Sequence, residues 1–126
     1  MYPEKLLDHF QNPRNVGELE PPAVVVEVSN PACGDILRLS ARFEAGRVAE
    51  ARYKVRGCTA SIAAGSALTE WMAGRTRTEL AAFEAAAIDR AVGGLPAASG
   101  HAAALCADGV RLLVKKWGEQ VARPPV

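Results

Sequence analysis

The sequence predicts an α+β fold in which a three-stranded antiparallel meander sheet carries helices packed on one face. Three observations point there. Residues 36–43 and 48–55 alternate apolar and polar side chains with a period of two, and residues 24–28 are almost entirely β-branched. Glu44-Ala45-Gly46-Arg47, between the last two of these stretches, has the composition of a hairpin connection. The strands are followed by helical spacing, seen in a small-residue run at 59–73 and in the stripe Ala102, Cys106, Val110, Leu113 and Trp117.

Taken in order, Pro3 suits the first position of a short helix with Leu6, Leu7 and Phe10 on one face, ended by Asn12-Pro13. So short a helix must dock on something to persist. His9 reads as a solvated residue of that helix. Residues 24–28 form the first strand, broken by the turn formers Ser29-Asn30-Pro31-Ala32-Cys33-Gly34-Asp35. The second strand places Leu37, Leu39, Ala41 and Phe43 inward and Arg38, Ser40 and Arg42 outward. The third places Ala49, Ala51, Tyr53 and Val55 inward and Glu50, Arg52 and Lys54 outward. The helix at 59–73 is stopped by Gly74. Thr76-Arg77-Thr78-Glu79 fits a capping box for the next helix. Alanine-rich sequence to Val92 continues that helix or forms a second, and Gly93-Gly94-Leu95-Pro96 stops it. The last helix spans 101–117. We expect one domain over 1–118 and a flexible tail over 119–126.

The totals narrow the function. A chain of 126 residues suits one domain, and 15 Lys+Arg against 14 Asp+Glu argue against a nucleic-acid or anionic-membrane binder. No apolar run is long enough to span a bilayer, and the N-terminus lacks the regions of a signal peptide, so a cytoplasmic protein with reduced thiols is expected. Three cysteines do not make a disulfide framework.

An in-order meander brings the Cys33 turn and Cys58 to the same end of the sheet. Cys58 stands at a strand-to-helix junction, facing unpaired N–H groups and the positive end of a helix dipole, a setting that favours thiolate. Cys33 lies in a Pro-, Gly- and Asp-containing turn that is a poor core site. Asp35 either closes that turn as an Asx residue or offers a carboxylate to the same spot. His101 is either a surface histidine near a helix start or a neutral imidazole ligand. Cys106, on the apolar stripe, reads first as core. Thiols, an imidazole and a carboxylate together match Zn²⁺ or an iron–sulfur centre in softness.

Three ordered segments resemble a known family, the IscU/NifU-type iron–sulfur cluster assembly scaffolds. They are Tyr2-Pro3-Glu4-Lys5-Leu6-Leu7-Asp8-His9-Phe10-Gln11-Asn12-Pro13-Arg14-Asn15-Val16-Gly17, then Asn30-Pro31-Ala32-Cys33-Gly34-Asp35, then Gly57-Cys58-Thr59-Ala60-Ser61-Ile62-Ala63-Ala64-Gly65-Ser66 with Thr69-Glu70-Trp71 and Gly74. The chain is similar to the shorter, IscU-like branch, without the insertion of the SufU branch between Cys58 and His101. The resemblance implies a SufE/NifU-like fold and a scaffold that takes sulfur from a cysteine desulfurase, takes iron, builds a labile [2Fe–2S] cluster and passes it to apo-proteins. It implies Cys33, Asp35, Cys58 and His101 as metal ligands, which in the apo form often hold Zn²⁺.

Two departures qualify it. Where the family reads His-Cys-Ser, this chain reads His101-Ala102-Ala103, so the third cysteine is absent. Cys106, about one turn on, is a possible substitute ligand or sulfur acceptor. Leu95-Pro96-Ala97-Ala98-Ser99 stands where the family's chaperone-binding segment has Leu-Pro-Pro-Val-Lys, which argues against recognition by an Hsp70-type chaperone. The competing expectations are a zinc-dependent sulfur acceptor like SufU and a degenerate paralogue acting as a binding module.

Overall fold

The computed structural model describes residues 2–31 and 34–122. Three strands, β1 (Val24–Ser29), β2 (Ile36–Glu44) and β3 (Arg47–Arg56), form an antiparallel sheet in the order β1-β2-β3. The helices are α1 (Glu4–Gln11), α2 (Thr59–Met72), α3 (Arg77–Ala81), α4 (Ala85–Ala91) and α5 (Gly100–Ala122), with a 3-10 turn at Ala97–Ser99. This is the expected α+β meander. Helices α2 and α5 pack on one face of the sheet and on each other, and α1 docks on α2. Leu37, Leu39, Ala41 and Tyr53 meet Leu68, Val110 and Leu113 in the core.

Most elements form where local chemistry places them. Thr76 and Glu79 make the reciprocal capping box that opens α3. The alanine-rich stretch after it resolves into two short helices, because the chain leaves helical geometry between Ala81 and Ala85.

Four expectations change, each for a tertiary reason; the fourth concerns His9. Ala49 is exposed and Val48 is buried in its place. The pairing jumps from Arg42↔Glu50 to Phe43↔Val48, so Ala49 is the extra residue of a β-bulge and the alternation reverses beyond it. Ser40, on the outward face, is buried because the Leu19 backbone N–H donates to its hydroxyl as the connector after α1 crosses that face. Residues 119–122, expected in the tail, continue α5. Trp117 stacks on Phe43 with ring centroids 3.9 Å apart, and the Gln120 amide donates to the Pro22 carbonyl, which together extend the helix beyond the last core contact.

The free edge of β3 is covered from both ends. Tyr53 exchanges backbone hydrogen bonds with Asn15 and Gly17, and Val48 does so with Gly74 and Arg75. An open edge would otherwise offer unpaired backbone groups to other chains.

His9 is buried, not solvated. Its Nδ1 lies 2.7 Å from the Ser66 hydroxyl on α2, and the Arg14 backbone N–H donates to that same hydroxyl at 2.9 Å. Glu70 Oε1 lies 3.6 Å from His9 Nε2. This is how α1, too short to stand alone, is fastened to α2. The small residues of α2 make the approach possible on every side. A Cβ at Gly65 would lie 2.4 Å from a Tyr53 ring carbon.

Two outcomes follow from this packing. Gly65→Ala forces a methyl into the Tyr53 ring and is expected to cost about 1–3 kcal/mol, read by chemical denaturation. Burial, and then the Arg14 charge, lower the His9 pKa below its ordinary 6.5, against the weaker pull of Glu70 and Asp8. The unfolded chain therefore binds this proton first. The stabilisation is present above the unfolded value and is lost as the pH falls toward the folded one. The fall in Tm between pH 7 and pH 5 is expected to be smaller in His9→Gln than in the parent protein.

Candidate metal centre

Asp35, Cys58 and His101 arrive from three different parts of the chain. Asp35 is the residue before β2. Its backbone carbonyl accepts from Asn30 N–H and so closes the β1–β2 loop, which leaves its side chain free to turn inward. Ile36 pairs with Arg56 across the ladder, placing Asp35 beside Gly57. The approach is close enough that a Cβ on Gly57 would lie 2.6 Å from the Asp35 carboxyl carbon. A residue without a side chain is needed there.

Cys58 is the N-cap of α2 in extended geometry, and its side chain makes no capping bond. The thiol is therefore available to the site and donates to Asp35 Oδ2 at 3.6 Å. His101, in the first turn of α5, puts Nε2 3.4 Å from Asp35 Oδ2 and 3.5 Å from Cys58 Sγ. The Asp35 side chain is 7% exposed and that of His101 is 25% exposed, so the carboxylate forms the floor of the site and the imidazole its rim.

Burial by itself would raise the Asp35 pKa. Hydrogen bonds from Ser61 and Cys58 and the charge of His101 outweigh it and hold the carboxyl below its ordinary value. The group is thus an anion where a cation would sit.

The donor set fits a metal ion. Asp35, Cys58 and His101 each offer one atom, and these atoms lie within 4.8 Å of one another. Their separations of 3.4, 3.5 and 3.6 Å are those of neighbouring corners of a tetrahedron. Ligands about 2.0–2.3 Å from a tetrahedral ion stand about 3.3–3.8 Å apart. A thiolate, an imidazole and a carboxylate are the ligand types that Zn²⁺ and iron accept.

The other expected positions fall outside this trio. Cys33 lies outside the described residues. Cys106 is 2% exposed, in the core cluster rather than in the ligand group. Burial pushes its thiol up to about 12. Ala102 and Ala103 are both buried beside His101. Ala97–Ser99, in the segment compared with the chaperone-binding motif, is wound into the 3-10 turn with Ser99 buried.

Ser61 was not singled out by the sequence as a site residue. Its hydroxyl donates to Asp35 Oδ2 and lies 3.4 Å from Cys58 Sγ. The available signal was its position three residues after Cys58, one helical turn along the same face. Among Ala60, Ala63, Ala64 and Ala67 it carries a hydroxyl on a wall otherwise built of methyl groups.

A meander sheet faced by two helices, with this trio at one end, defines a small α+β domain with a candidate metal site. The chain belongs to the NifU-like N-terminal domain family, whose profile matches residues 1–123. It is 40% identical over 111 residues to "Iron-sulfur cluster assembly scaffold protein IscU 1" of Archaeoglobus fulgidus, covering 88% of this chain and 72% of that protein. It is 37% identical over 120 residues to "Iron-sulfur cluster assembly scaffold protein IscU" of Azotobacter vinelandii, covering 92% and 93%. The fold is similar to the crystal structure of a NifU-like protein's N-terminal part from Brucella abortus, with a TM-score of 0.76 at 18% identity over 93% and 94% of the two chains.

The placement of the two described thiols leads to an expected difference in reactivity. Cys58 should react with a small alkylating reagent in the native protein, whereas Cys106 should react only on unfolding, as read by mass spectrometry of the modified peptides. Cys106→Ser, which buries a hydroxyl in an apolar wall, is expected to cost about 1–3 kcal/mol in chemical denaturation and to leave metal affinity unchanged.

Proposed function

We propose that this protein is a scaffold for iron–sulfur cluster assembly. It accepts sulfur from a cysteine desulfurase and accepts iron, holds a labile [2Fe–2S] cluster as cargo, and passes it to apo-proteins. In this reading it is a carrier, and its partners perform most of the chemistry. Cys58, His101 and Asp35 are ligands, with Cys33 as a further thiolate from the turn that precedes Asp35. Cys106 is a core residue in this assignment. The relatives named as scaffolds support the role, because they align over most of this chain.

The single observation that carries the reading is the convergence of one thiol, one imidazole and one carboxylate at 3.4–3.6 Å from positions far apart in sequence. The carboxylate is a hard donor beside a soft one, and a mixed set of this kind holds iron less firmly than a full set of thiolates. Weak holding suits cargo that must leave.

A second reading, a zinc-dependent sulfur acceptor, is favoured by one specific feature. Ala102 and Ala103 fill the wall beside His101 with methyl groups where the family carries a thiol, while the trio is spaced for a single tetrahedral ion. Anaerobic reconstitution with iron and sulfide separates the two readings. The scaffold reading expects the absorption of a [2Fe–2S] centre that a chelator or an apo-ferredoxin removes, and expects Cys58→Ala to abolish it. One tightly held zinc with no cluster would reject the scaffold reading in favour of the second.

A further inference from the structure

We propose that Ser61 is the positioning residue of this site. Its hydroxyl holds the Asp35 carboxylate in the orientation that offers an oxygen to the metal, and Gly57 leaves the space in which that orientation exists. The inference rests on the proposed ligand set and adds to it a residue that ligates nothing.

The geometry separates Ser61 from the ligands. Asp35, Cys58 and His101 stand at ligand-to-ligand distances from one another. The contact between Ser61 and Asp35 is instead a direct hydrogen bond, too close for two atoms that share an ion as neighbouring ligands. Ser61 is 2% exposed. Its hydroxyl has its contacts with Asp35 and Cys58, both of them in the site. A serine in a helix can instead bond back to the carbonyl one turn earlier. Here the hydroxyl faces the carboxylate.

Among the described residues, Ser61, the Cys58 thiol and His101 Nε2 all meet Asp35 on Oδ2. A carboxylate oxygen carries two lone pairs. The Cys58 backbone also hydrogen-bonds this carboxylate. Ser61 is a donor to Oδ2 that is not itself among the candidate ligands. Oδ2 accepts from Ser61 and would keep a lone pair to offer a metal ion. Beside the carboxylate, Gly57 leaves open the space that a Cβ would take; a Cβ there would lie 2.6–2.8 Å from the carboxyl atoms. Partners of this kind behind a ligand commonly change metal affinity by 10–100-fold.

Ser61 also lies on the first turn of α2, whose N-cap is Cys58. One helical turn thus carries both a ligand and the group that orients another ligand.

The test is a double-mutant cycle read with Co²⁺ alone, titrated anaerobically and followed by its d–d absorption. Ser61→Ala is expected to weaken Co²⁺ binding about tenfold and to change the band intensities. Ser61→Thr, which keeps the hydroxyl, is expected to recover most of the affinity. In an Asp35→Ala background the same Ser61→Ala change is expected to have no further effect, because the group it positions is gone. Apo-protein Tm values for each variant check that the fold is retained; alanine is favoured at this helical position. An unchanged affinity in Ser61→Ala, or an equal loss with and without Asp35, overturns the positioning role. An Asp35→Ala variant that binds Co²⁺ as tightly as the parent overturns the ligand set on which the role rests, and is seen separately in the same cycle.

Discussion

Ile36 stands opposite Arg56 at the end of the β2–β3 ladder, and this pairing sets Asp35 beside Gly57. The site is built outward from that contact. Arg56 ends β3, Gly57 passes under the carboxylate, Cys58 caps the next helix, and Ser61 follows one turn later. A slip of one residue between β2 and β3 would carry Asp35 past Gly57 and turn every inward side chain of the strand outward. The core face of Leu37, Leu39 and Ala41 opposes such a slip, so the burial that stabilises the sheet also holds the register of the site.

Helix α2 transmits that register to the rest of the molecule. Ten of its residues are buried, Ala60 through Thr69 with Met72 and without Ile62, and most of them are small. Small side chains let β3, α1 and α5 approach the helix axis on three sides, at the cost of tolerance to any added atom. The same surface must satisfy polar groups where it meets the N-terminal segment. Ser66 does so for both His9 and Arg14, and Thr69 for Asn15. No buried side-chain nitrogen or oxygen among the described residues lacks a hydrogen-bond partner. A buried polar cluster of this sort is favourable only when complete.

The metal trio follows a different logic from the core. Asp35 is buried and Cys58 and His101 are half-buried; the three groups are unlike one another and touch one another. Within the proposed scaffold role, that combination gives an ion a defined place without enclosing it. The two alanines after His101 remove one thiolate from the family pattern, and the buried Cys106 sits in the core cluster rather than beside the trio.

The sequence by itself determined the element order, the meander, the capping box at Thr76 and the family, because each is written in local periodicity, turn chemistry or ordered motifs. It also named Asp35, Cys58 and His101 one by one. For Asp35 and His101 it left two readings open, since a turn-closing aspartate and a ligand aspartate look alike in one dimension. In the structure the Asp35 backbone closes the loop, which leaves its side chain to meet Cys58 and His101. Tertiary structure alone decided the bulge at Ala49, the burial of His9 and Ser40, the continuation of α5 past Trp117, and the entry of Ser61 into the site. Each depends on a partner outside its own element: β2 for Ala49, Ser66 for His9, Leu19 for Ser40, Pro22 for Gln120 and Asp35 for Ser61. Periodicity reports which face a residue shares with its neighbours. Only packing decides what that face meets.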